Sequence, residues 1–68
     1  QFMYGGELQT IRFEYTGPSL ESVLDRLPTA KVLRVTEKGW IVEAEVFGTG
    51  IDMWVRSQGD YIRVFPSQ

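Results

Sequence analysis

Sixty-eight residues make one small domain, which buries only about 60% of its unfolded surface. With no cysteine and no histidine, disulfide staples, thiolate metal sites, Cys–His nucleophiles and imidazole bases are all excluded. A 43% hydrophobic share excludes a disordered chain, and a net charge of −2 with interspersed signs excludes the basic stripe of a nucleic-acid module.

No apolar run approaches the roughly 20 residues of a membrane span. The chain opens on Gln1 rather than methionine, so it reads as an excised piece of a longer protein, with no signal peptide before the domain. Gly5-Gly6 separates a short apolar tag from the first periodic segment. Residues 1–7 read as a linker or expression remnant and residues 8–68 as the domain.

From Leu8 to Tyr15 the side chains alternate, with Ile11, Phe13 and Tyr15 on one face and Thr10, Arg12 and Glu14 on the other. This period of two predicts a strand with one buried face. Gly17-Pro18-Ser19 breaks it, and either Gly17 or Ser19 caps the helix that follows. Leu20, Val23, Leu24 and Leu27 recur at i, i+3, i+4, i+7, one helical stripe. Glu21 and Arg26 complement the two ends of the helix dipole, and Pro28 stops the helix.

Lys31 to Thr36 predicts a second strand of mixed pattern. Glu37-Lys38-Gly39 is a hairpin turn leading to a third strand, Trp40 to Phe47. There Trp40, Val42, Ala44 and Val46 face one way, and Glu43 and Glu45 the other. Gly48-Thr49-Gly50 reads as a strand-to-helix turn before a short helix carrying Ile51, Trp54 and Val55 at i, i+3, i+4. Gly59 suits the left-handed position after that helix. Tyr61 to Phe65 predicts the fourth strand, closed by Pro66.

The order β-α-β-β-α-β predicts an α+β domain: a ferredoxin-like, four-stranded antiparallel sheet with two helices on one face. Strands one and three then lie side by side in the centre.

Arg12, Glu14, Glu43 and Glu45 fall on the polar faces of those central strands and suit cross-strand ion pairs at a solvated or partner-facing surface. A metal or acid/base reading of Glu43 and Glu45 lacks a third ligand type. Phe13, Tyr15 and Trp40 share a face with aliphatics and belong to the core. Only Phe47 joins the glutamate face, where carboxylates repel phosphate. Ser57 has no histidine to activate it and suits bonding to the helix end. Gly48-Thr49-Gly50 lacks the lysine of a phosphate loop. A small acyl-phosphate hydrolase would need an arginine in the loop after strand one, and Thr16-Gly17-Pro18-Ser19 has none. The chain therefore reads as no enzyme, with no cofactor and no catalytic or metal residue.

The opening strand Ile11-Arg12-Phe13-Glu14-Tyr15, the helix Ser19 to Leu27 and the hairpin strand Trp40 to Val46 precede a closing unit. That unit is Trp54-Val55-Arg56-Ser57-Gln58-Gly59-Asp60-Tyr61-Ile62-Arg63-Val64-Phe65-Pro66. Together they resemble the WCX domain, the C-terminal extension of WYL-type bacterial transcriptional regulators. The resemblance spans Leu8 to Pro66. It implies a ferredoxin-like domain that serves dimerisation and regulation in a cytoplasmic protein. DNA would be contacted only through a winged helix-turn-helix domain outside this chain.

Two surfaces follow as expectations. Arg12, Glu14, Glu43, Glu45 and Arg63 are the candidates for an interface with a second protomer in a homodimer. Trp54, Arg56 and Arg63 are the candidates for an effector site between the second helix and the sheet. The effector would be a nucleotide or another small molecule, and that alternative makes the domain a sensor. No membrane partner is expected.

Overall fold

The computed structural model describes residues 8–66. The linker or expression remnant expected over residues 1–7 lies outside the described residues, as do positions 67 and 68. The elements run β1 (Leu8–Tyr15), α1 (Leu20–Arg26), β2 (Lys31–Val35), β3 (Trp40–Phe47), α2 (Gly48–Ser57) and β4 (Ile62–Val64). A single 3-10 turn, Gly59–Tyr61, joins α2 to β4. Among the described residues the fold is α+β, with one antiparallel sheet in the order β2-β3-β1-β4 and two helices.

β1 and β3 form the centre, paired without interruption from Leu8↔Phe47 to Tyr15↔Trp40. Because strand side chains alternate, this register puts Ile11, Phe13 and Tyr15 on the same face as Trp40, Val42, Ala44 and Val46. That face is the core. Phe13, Tyr15, Val42, Ala44 and Val46 are buried there with Ile62 of β4, Val23 and Leu27 at α1, and Ile51 of α2. Each large aliphatic or aromatic side chain so buried contributes about 1.5–3 kcal/mol. Trp54 meets Phe13 edge to face at 5.9 Å, and Trp40 stacks on Tyr15 at 6.2 Å.

Ser19 resolves the choice of cap. Its extended backbone (φ −145°, ψ 100°) turns its hydroxyl to accept the Ser22 N–H at 3.3 Å. Leu27, the residue before Pro28, ends α1 at φ −121°, ψ 85°, outside the helical region that a following proline disfavours. The β2–β3 hairpin is held by Thr36, whose hydroxyl accepts the N–H groups of Lys38 (3.2 Å) and Gly39 (2.9 Å). Gly39 is irreplaceable for a steric reason: a Cβ there would lie 1.9 Å from the backbone oxygen of Tyr15. Gly59 has φ +60°, as its place after α2 requires.

Boundaries depart from the sequence expectation at α2, at both ends of β4, and in β2, which ends at Val35 rather than Thr36. Gly48-Thr49-Gly50 is no separate turn; it is the first turn of α2, which follows β3 directly with Phe47 as an extended N-cap. Tyr61 belongs to the 3-10 turn, and β4 is only three residues long. Phe65 adds one more backbone bond, its N–H to the Arg12 oxygen at 2.9 Å, before Pro66 removes the next donor. The mixed pattern of β2 comes from a register shift between Val32 and Arg34 that passes over Leu33.

A charged sheet face as the candidate functional site

The face of the sheet opposite the core is assembled by the same registers. Arg12 pairs with Glu43, Glu14 with Arg63 and Thr10 with Glu45, so all five interface candidates share this face. Phe65, just past the end of β4, joins them; the Arg63 guanidinium lies 5.1 Å from its ring centre. At one end Leu8 and Phe47 oppose each other, 58% and 56% exposed.

Two ion pairs cross this face. Arg12 Nε donates to Glu43 Oε2 at 2.8 Å, and Arg63 donates through Nη2 to Glu14 Oε1 at 3.1 Å. Both arginine side chains are largely exposed, so each pair is worth at most about 1 kcal/mol. Glu14 has a further partner, the Thr36 hydroxyl, which donates to Oε2 at 2.9 Å. The bonds from Arg63 and then Thr36 hold its carboxyl below the usual glutamate range. Glu45 is bound by backbone alone: its N–H donates to the Thr29 hydroxyl at 2.9 Å, and that hydroxyl donates to its carbonyl at 2.8 Å. Its carboxylate makes no ion pair among the described residues.

The expected effector trio does not converge. Trp54 is half-buried against Phe13 on the core side. Arg63 projects to the opposite face, because Ile62 and Val64 on either side of it pair on the core face with Tyr15 and Phe13. Arg56 is exposed and lines a groove of about 380 Å³ beside α2, with Ile11, Ile51, Val55 and Val64. Trp54 and Arg63 therefore lie on opposite sides of the sheet, and Arg56 lines the groove beside α2.

The sequence reading missed Phe65, Lys31 and Arg34. The signal for Phe65 was the alternation begun at Ile62. For the two cations it was hidden by the shift at Leu33, which puts both on the charged face, opposite Glu43 and Ile41. Chemically the face offers both signs of charge with an apolar end, and its Thr36 hydroxyl is bonded to the Glu14 carboxylate. The Ser57 hydroxyl is spent on the Trp54 carbonyl at 2.6 Å. No helix among the described residues is long and apolar enough to cross a membrane. No family model, no curated protein and no solved structure matches this chain.

Proposed function

We propose that this chain is the regulatory and dimerisation domain of a bacterial DNA-binding transcriptional regulator, of WCX type and ferredoxin-like topology. The order β-α-β-β-α-β, the β1–β3 centre and the closing unit around Trp54 and Gly59 support that assignment. The domain is no enzyme. It works in the cytoplasm, and DNA is contacted through a domain outside these residues.

The observation that carries the reading is the mixed-sign face. Arg12, Glu14, Glu43, Glu45 and Arg63 lie together opposite the core, beside the exposed pair Leu8 and Phe47. A two-fold dimer needs one patch that complements itself, and a face carrying both charges with an apolar end meets that condition. Two packings of such an interface would bias the spacing of the attached DNA-binding domains.

Sedimentation velocity tests the reading. The expected result is a dimer for the wild type, shifted to monomer by Glu43→Lys with Glu45→Lys. Because Glu43→Lys also breaks the bond to Arg12, Glu45→Lys alone is the companion variant and should weaken the dimer in the same direction. A monomeric wild type, or a dimer indifferent to both variants, removes this face from assembly.

A further inference from the structure

β2 ends the sheet on the side away from β4. All five of its residues are exposed, and among the described residues no strand pairs with its outer edge. Val32, Leu33 and Val35 are 39%, 48% and 72% exposed. An edge this apolar invites another strand unless its charges direct the choice.

Those charges have one sign. Lys31 and Arg34, opposite Glu43 and Ile41, lie on the charged face of the sheet; Val32 and Val35, opposite Val42 and Trp40, lie on the core side. Neither cation makes an ion pair among the described residues. Glu43, the carboxylate nearest Lys31 in register, is turned to Arg12.

We propose that the β2 edge receives an extended acidic segment of a partner protein, added as a further strand of the sheet. Its acidic side chains lie over Lys31 and Arg34, and its alternate aliphatic side chains over Val32 and Val35. Backbone hydrogen bonds supply affinity, and the alternation supplies selectivity. A second copy of this chain is a poor occupant. Two-fold pairing of β2 with itself keeps like faces together and lines one seam with Lys31 and Arg34 from both copies. The shift at Leu33 also breaks the flatness that edge-to-edge stacking needs. The positive charge that repels a copy selects an acidic strand.

The test uses the whole chain and a capped, fluorescein-labelled peptide alternating glutamate and valine. Its controls are a peptide with the same residues in two blocks and an oligothymidylate. Anisotropy gives affinity, and amide NMR shifts with hydrogen exchange locate the site. The expected result is shifts and slowed exchange confined to Lys31–Val35. Binding should weaken at least about tenfold in Lys31→Glu with Arg34→Glu, a variant that removes no side-chain bond found among the described residues. The same variant should gain binding to a lysine–valine peptide. Equal binding of the block peptide or the oligothymidylate overturns the proposal, since charge alone would then suffice. So do shifts centred elsewhere, or concentration-dependent shifts in β2 without peptide. The proposal stands apart from the dimer reading: a monomer that binds the alternating peptide removes that reading and keeps this one.

Discussion

The guanidinium of Arg63 bonds the carboxylate of Glu14 at 3.1 Å across 49 positions of sequence, tying the last strand to the first. Thr36 bonds the same carboxylate from the hairpin. Both partners favour the charged form, so the folded pKa lies below the unfolded one. The sign of the linkage follows. The stabilisation is complete above the unfolded value and is lost as pH falls through the folded value. Glu14→Gln should therefore melt lower than wild type at neutral pH, with the two melting temperatures converging in acid. Melting curves collected down the acid range check this. Parallel curves would mean that the pair contributes nothing.

Phe13 is fully buried, and Trp54 packs against its ring. Phe13→Ala should cost about 3–5 kcal/mol. A domain of this size holds only about 3–10 kcal/mol at ~0.05–0.15 kcal/mol per residue. Phe13→Ala should therefore remove between about a third and all of that margin, a far larger drop in urea midpoint than Phe13→Leu. Tryptophan emission during urea titration reports both. An alanine variant with the wild-type midpoint would contradict the packing described.

Two glycines should respond to alanine with opposite signs. At Gly39 the new methyl meets the Tyr15 carbonyl oxygen, and that backbone is fixed by the central ladder. The hairpin must distort, at about 1–3 kcal/mol or more. At Gly50, inside α2, a Cβ meets nothing within 4 Å. There alanine should stabilise by about 0.5–1 kcal/mol through helix propensity and a less entropic unfolded chain. Thermal melts of the two single variants decide the matter, and a common sign would refute it.

These responses also mark how far the residues could be read in advance. β1 was legible to its last residue, because a clean period of two buries one face only. The core followed from the same alternation in β3 and from the stripe through Val23 and Leu27. The start of α2 was hidden because Phe47, its N-cap, makes no side-chain bond, so no polar cap announces a helix. β2 defied its pattern because a one-residue shift moves side chains to the other face. At the candidate site, the pairing of Arg12 with Glu43 was legible from neighbouring polar faces. Arg63 and Trp54 are close in sequence but lie on opposite sides of the sheet. Parity alone, set by Ile62 and Val64, sends Arg63 through the sheet to the far side.

β4 engages β1 at three positions, Phe13, Glu14 and Tyr15, whereas β3 engages it at eight. The molecule should accordingly unzip from its carboxyl-terminal strand. Amides of Ile62–Val64 are expected to trade deuterium well before those of the β1–β3 centre, in a partial opening that leaves the three remaining strands standing. An event of that kind would expose Phe13 and Tyr15 briefly to water and give the domain a loosened form short of global melting.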